Sequence, residues 1–169
     1  IGALELGLSA DAEMAGWIYE TAQYPFLSNS DAHSLHNIAR EYNRLRMAGA
    51  SFEELLKAVR GEEGRAILAN YGMHPALGKY HRSYCVNCRK TAADEEPRFE
   101  CGVCGRPMIP GVWDRIASIR DGEDSRQPVN RPPYCYRVPL DMIPGMGPKT
   151  IERLRAALGT EMDIMERAP

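Results

Sequence analysis

Four cysteines in two C-x-x-C pairs, Cys85/Cys88 and Cys101/Cys104, are the most specific chemical signal in the sequence. Zinc takes four ligands in a tetrahedron, and thiolates suit it. A C-x-x-C turn puts two sulfurs on one ion because the intervening backbone folds into a tight knuckle. Gly102 and Gly105 are expected to let the second knuckle reach positive φ. Residues 89–100, between the pairs, leave room for a small hairpin and not for an independent core. A zinc ion there stands in for that core: its binding free energy, about 10–16 kcal/mol in small finger peptides, is folding free energy. Four thiolates leave no open position, so the role is structural rather than catalytic. Two unrelated redox or free thiol pairs are the competing reading. His81 is a substitute ligand that four cysteines make unnecessary, and Cys135 reads as a small, partly buried apolar residue.

A second candidate is "SNSDAHS", where Asp31 and His33 follow the strand-like "FLSN". Residues at i and i+2 point to the same side of an extended backbone, so a carboxylate and an imidazole could grip one metal ion there. Two ligands do not make a catalytic site; three per ion and a water are the usual minimum. The same residues also fit Asp31 as the N-cap of a helix beginning near Ser34, with His33 on the surface. His36 reads as helix surface and His74 as loop.

A third candidate is "IPGMGPKTIERL", apolar-Pro-Gly-x-Gly-x-Lys-Thr running into a helix. Gly145 and Gly147 permit a sharp turn. The following helix offers unpaired N–H groups at its start, which favour an anion. Lys149 adds charge and Thr150 a donor. The arrangement resembles the hairpin of helix-hairpin-helix motifs, which hold a DNA backbone without reading sequence; a plain turn with a proline start fits as well. The spacing excludes a P-loop. Upstream, residues 79–90 hold Lys79, Arg82, Arg89 and Lys90 with no acid, plus His81. Lys79, His81 and Arg82 are candidate phosphate contacts, or part of a solvated basic face.

These groups must be positioned by a chain of 169 residues with 44% hydrophobic content, enough for one or two domains. Net charge is −2, so no global field draws it onto nucleic acid. No apolar run approaches the roughly 18 residues of a membrane span. No export signal is visible, so a reducing, cytoplasmic compartment is expected. The chain opens on Ile1 within an apolar stretch, as a piece of something longer would.

"IGALELGLS" reads as a buried strand, "ADAEMAGWIYETAQ" as a helix begun by Asp11, and "FLSN" as a strand: a parallel α/β unit. Helices are expected over "HNIAREYNRLRMA", over "SFEELLKAVRG" with a capping box at Ser51 and Glu54, and over "EEGRAILANYG". "RDGEDSRQPVNRPP" reads as an exposed loop. "PLDMI", a Gly-rich turn, a further helix and a last short segment close the chain. Trp113, Tyr134 and Tyr136 read as packing residues rather than base-stacking platforms.

"ELGLSADAEM", "SNSDAHS", "NYGMHPALGKYHRSYCVNC", the second C-x-x-C-G, "RPPYCYRVPLDMIPGMGPKT" and "GTEMDIM" occur in this order. Together they resemble the endonuclease Q family of DNA-repair enzymes, whose catalytic domain is of the polymerase-and-histidinol-phosphatase (PHP) type. The resemblance covers nearly the whole chain. It implies a fold of α/β class plus a small zinc-binding module. Residues 1–78 would be the C-terminal part of a distorted β/α barrel with following helices. Residues 79–110 would form a zinc ribbon, and 111–169 a helical region with the hairpin.

The resemblance also implies a cluster of divalent metals, zinc, manganese or magnesium, at the barrel mouth, with "SDAH" matching the family's last D-x-H motif. Such enzymes nick DNA 5′ to uracil, hypoxanthine or abasic sites, leaving a 3′-hydroxyl and a 5′-phosphate. The family's earlier motifs, beginning with H-x-H, and the first barrel strands are absent here. The expectation is therefore that Asp31 and His33 are catalytic metal ligands of an incomplete cluster. The chain would not cleave DNA alone and would need the missing N-terminal half as a partner. The runner-up is a non-enzymatic zinc-ribbon and hairpin module that only binds DNA. A zinc-stapled adaptor is a third class.

Overall fold

The computed structural model describes residues 2–121 and 131–160. Most of the expected exposed loop (residues 122–130) and the closing segment (161–169) lie outside the described residues.

The expected strand–helix–strand opening is present, with short elements. Strand β1 (Leu4–Glu5) pairs in parallel with β2 (Phe26–Leu27), Leu4 opposite Phe26. Helix α1 (Ala12–Gly16) lies between them, and the Asp11 carboxylate accepts from the Met14 N–H at 2.8 Å. The helix stops at Gly16, a weak helix former, where bonds from Trp17 to Met14 and from Ile18 to Ala15 tighten the last turn. A 3₁₀ turn at Tyr19–Gln23 leads to Pro25 and β2.

Two expected helices are strands. Apart from a 3₁₀ turn at Leu35–Asn37, "HNIAREYNRLRMA" forms β3 (Tyr42–Arg46), and "EEGRAILANYG" forms β4 (Ala66–Met73). They pair antiparallel, with Tyr42 opposite Tyr71. A register shift between Arg44 and Leu45 breaks the period-2 alternation, and the polar Asn70 is buried, so neither strand has a clean sequence signature. Non-local pairing decides the matter. β4 is central, flanked by β3 and by β7 (Tyr134–Arg137), which runs parallel to it.

Helix α2 (Phe52–Arg60) forms as expected and packs on β3 and β4. The Ser51 hydroxyl accepts from the Glu54 N–H at 3.2 Å. The box is only half made, because the Glu54 carboxylate instead accepts from the Ala48 N–H and from Arg65. Gly61, left-handed at φ 69°, ends the helix.

A small hairpin of β5 (Tyr84–Cys85) and β6 (Lys90–Thr91) carries the first cysteine pair. Helix α3 (Val112–Ile119) follows the second pair. Beyond β7, a 3₁₀ turn at Leu140–Met142 and a glycine turn lead into α4 (Pro148–Leu158). The molecule is thus a small mixed α/β structure bearing a four-cysteine cluster. Buried residues include Phe26, Ala69 and Met73, and the cysteines form a packed cluster with Ala92 and Met108. Among the described residues, no helix is long and apolar enough to cross a membrane.

Candidate functional site

The four cysteine sulfurs lie within 4.8 Å of one another, the only such group of possible metal ligands among the described residues. Both knuckles use a left-handed residue just after the second cysteine, Arg89 at φ 52° and Gly105 at φ 65°. Gly102, expected to share that role, does not have positive φ. The Cys88 N–H donates to the Cys85 sulfur at 3.4 Å, and the Gly105 N–H to the Cys101 carbonyl at 2.8 Å. N–H groups of Cys104 and Val103 pull the Cys101 thiol down to about 6. The neighbouring thiol of Cys104, with burial, pushes Cys88 up to about 12. The cluster therefore holds thiolate charge unevenly until a cation shares it. Two buried and two half-buried cysteines, mutual proximity and soft donors all fit a structural zinc held by Cys85, Cys88, Cys101 and Cys104.

The cysteine module is locked to α3 through Asp114, whose side chain is fully buried. Its carboxylate accepts from the Ser83 N–H at 2.7 Å, the Arg98 N–H at 3.0 Å and Arg82 Nε at 3.1 Å. Burial opposes this charge, but those donors together hold the carboxyl below its usual range. The start of α3 has no side-chain cap. Its N–H groups at Val112 and Trp113 donate instead to the carbonyls of Tyr80 and His81. The chains meet so closely at Gly111 that a Cβ there would lie 2.2 Å from the Arg82 carbonyl carbon.

This arrangement divides the basic stripe. Lys79 is exposed, with Nζ 5.3 Å from the Tyr80 ring centroid. His81 is half-buried, burial lowers its pKa, and its Nδ1 has no hydrogen-bond partner. Arg82 turns inward: it pairs with Asp114, donates to the Asp94 carbonyl and stacks over Trp113 at 4.3 Å. Trp113 is therefore packed, as its type suggested. Tyr134 is half-buried, whereas Tyr136 is 48% exposed and donates to Asp11 at 2.8 Å.

Asp31 and His33 sit together on an exposed loop beyond β2. Asp31 has φ 44° and is not a helix N-cap: Ser34 holds that place, without a side-chain cap bond. His33 Nδ1 lies 2.9 Å from the Asp31 carbonyl oxygen and 3.9 Å from its carboxylate. A carbonyl only accepts, so Nδ1 carries the proton in the neutral ring and Nε2 keeps its lone pair. That is the arrangement of a metal-ligating histidine oriented by a backbone carbonyl. Two donors fit as part of a metal site, and among the described residues no third ligand joins them.

Gly145 has φ 86°, and Gly147, at φ −77°, begins α4 with Pro148 in its first turn. Lys149 and Thr150 follow and are exposed. Between the segment after His33 and α4 lies a cleft of about 430 Å³ lined by Leu35, Ile38, Arg40, Met73, Arg137 and Arg155, among others.

A family model described as PHP-associated matches residues 12–63. The matched stretch runs from α1 through α2 and ends ahead of the four-cysteine module. The chain is 44% identical to the uncharacterized protein YqxK of Bacillus subtilis over 169 residues, 99% of this chain and 43% of that protein. It is 40% identical to an uncharacterized protein of Methanocaldococcus jannaschii over 81% of this chain and 18% of that protein. It superposes on the lesion-specific endonuclease PfuEndoQ of Pyrococcus furiosus with TM-score 0.80 and 36% identity, over 99% of this chain and 45% of that one. Endonuclease Q in complex with a 27-mer duplex bearing an abasic lesion at its active site matches with TM-score 0.82 and 36% identity, over 99% and 46%. The likeness is to the C-terminal part of those endonuclease chains. It spans less than half the length of the relatives it matches.

Proposed function

We propose that this chain is the distal part of a metal-dependent endonuclease that nicks DNA 5′ to deaminated bases or abasic sites. One observation carries the reading: nearly the entire chain superposes on endonuclease Q at 36% identity, including the complex with lesion-bearing DNA. In this reading residues 1–78 complete a PHP barrel, 79–110 form a zinc ribbon, and 111–169 carry a helix-hairpin-helix-like turn.

Asp31 would supply a carboxylate oxygen and His33 its Nε2 to a metal site completed by groups outside this chain. A divalent cation held there would supply charge neutralisation to a phosphodiester and stabilisation to the leaving oxygen. The residues of this chain bind and orient. Asp31 presents its carboxylate from a left-handed backbone turn, and its own carbonyl fixes the His33 tautomer. Lys79 faces solvent beside the cysteine module, and at the exposed start of α4, after Gly145 and Gly147, Lys149 and Thr150 offer a phosphate a cation and a hydroxyl, the Gly147 and Thr150 N–H groups being bonded to the Gly145 and Gly147 carbonyls. Arg82 and His81 hold that surface from within rather than reaching out of it. A deaminated or abasic nucleotide unstacks more cheaply than a paired one, by part of a cost of a few kcal/mol, so selectivity lies partly in the DNA.

Nicking of uracil-, hypoxanthine- and abasic-containing duplexes tests this. The complete natural polypeptide carrying this sequence should cut 5′ to the lesion, and this chain alone should not. Cutting unchanged in Asp31→Ala and His33→Ala removes the hydrolytic reading. A second reading, a module that binds DNA without cutting it, fits a pair that has no third ligand among the described residues. It predicts salt-dependent DNA affinity and no nicking in the complete protein.

A further inference from the structure

We propose that Asn43, Asn70 and Arg40 are positioning residues for the Asp31–His33 pair, acting together as a side-chain substitute for a β-strand. The proposal rests on the reading that these two residues hold a catalytic metal.

In a strand, backbone groups of alternate residues face opposite edges. One edge of β2 is paired with β1: the Leu4 N–H donates to the Pro25 carbonyl at 3.0 Å, and the Leu6 N–H to the Leu27 carbonyl at 3.0 Å. The other edge belongs to residues 26, 28 and 30, and among the described residues no strand lies there. Side chains of the neighbouring sheet take its place. Asn70 Nδ2 donates to the Phe26 carbonyl at 2.9 Å. Asn43 engages Ser28 twice, accepting from its N–H at 2.9 Å and donating to its carbonyl at 2.8 Å, as a strand residue would. Asn70 Nδ2 also donates to Asn43 Oδ1 at 2.7 Å, which ties the two amides together. Arg40 Nε donates to the Ser30 carbonyl at 2.9 Å. The series 26, 28, 30 ends one residue before the left-handed Asp31.

Asn70 and Ser28 are buried, whereas Asp31 and His33 are exposed, so this buried edge anchors the backbone from which the exposed pair projects. Side-chain amides add something a strand does not. Asn43 sits on β3, Asn70 on β4 and Arg40 just before β3. The position of the Asp31 loop is therefore tied to the sheet that also carries β7 and leads to the hairpin.

The test has two readouts. In this chain, amide hydrogen exchange is followed over residues 28–33 in Asn43→Ala, Asn43→Asp and Arg40→Gln. In the complete natural polypeptide carrying this sequence, kcat and KM for an abasic duplex are measured for the same variants beside Asp31→Ala and His33→Ala. The proposal expects exchange over 28–33 to accelerate about tenfold or more in Asn43→Ala, with kcat falling about 10–100-fold and KM little changed. Asn43→Asp keeps the acceptor for Ser28 and Asn70, so it should recover part of both losses. Arg40→Gln, at a half-buried site that threatens folding less, should show the same pattern more weakly. Nicking lost in Asp31→Ala and His33→Ala but normal in folded Asn43→Ala and Arg40→Gln would overturn the positioning role and leave the proposed function standing. Full nicking in Asp31→Ala and His33→Ala would overturn both.

Discussion

The four-cysteine module and the Asp31–His33 loop are both candidate metal sites, and they are built in opposite ways. The cysteine site is closed. All four donors come from residues 85–104, two of the four are buried, and the sulfurs face one another. The Asp31–His33 pair is open, with side chains 70% and 83% exposed and no further ligand among the described residues beside them. A closed site contributes its binding energy to its own fold. An open one contributes nothing to this chain's stability and has a use only when other groups complete it.

That difference orders the expected effects. Zinc removal should be the largest. Chelation, or Cys101→Ser, should release about one zinc per chain and open the backbone over 84–109, since ion binding worth about 10–16 kcal/mol in small fingers holds such modules together. Metal stoichiometry and hydrogen exchange read this directly, and the β3–β4–β7 sheet should stay protected. If the whole chain loses protection together, the cysteine module does not fold separately from the sheet.

Next is Asp114→Ala. It strands the N–H groups of Ser83 and Arg98 and the Arg82 guanidinium, and breaking a buried pair costs about 3–5 kcal/mol. Denaturant unfolding measures it. A loss near zero would mean the module does not depend on α3.

Glu41 comes third and bears on the sheet. It is 3% exposed, its Oε1 accepts from the Met73 N–H at 3.0 Å, and its Oε2 has no hydrogen-bond partner. Burial raises its pKa from 4.5 to about 7. The folded state therefore binds more protons than the unfolded state between those values, and this group's contribution makes stability fall as pH rises from about 4.5 through 7. Glu41→Gln keeps the acceptor and removes the charge. It should match the native chain near pH 4 and exceed it at pH 8 by on the order of 3 kcal/mol. Equal stability at both pH values would contradict the burial argument.

The smallest expected effect is itself diagnostic. Asp31→Ala and His33→Ala should leave the unfolding free energy of this chain within about 0.5 kcal/mol, as exposed substitutions do. A large loss would mean that the loop is structural.

The same contrast explains what could be read from the sequence. The cysteine site was legible because all its ligands are local and their spacing is constrained by the knuckle. Asp11, Ser51 and Gly61 likewise mark helix ends through contacts within a few residues. The sheet was not legible. Its register shift at Arg44–Leu45 and its buried Asn70 defeat periodicity, and its partners are distant in sequence. The clamp on β2 was hidden for the same reason, since Asn43 and Asn70 gain their meaning only when β3 and β4 lie beside Ser28 and Phe26. The inward turn of Arg82 follows from Asp114, 32 residues on, and no local pattern announces it.

The central claim is that an exposed carboxylate–imidazole pair here serves a site completed from elsewhere. Strand cleavage of an abasic duplex, measured for this chain alone, for the complete natural polypeptide, and for that polypeptide with Asp31→Ala or His33→Ala, tests it most directly. The account predicts cutting 5′ to the lesion only by the unsubstituted complete protein. Equal cutting by the substituted forms, or none by any form despite tight DNA binding, would contradict it.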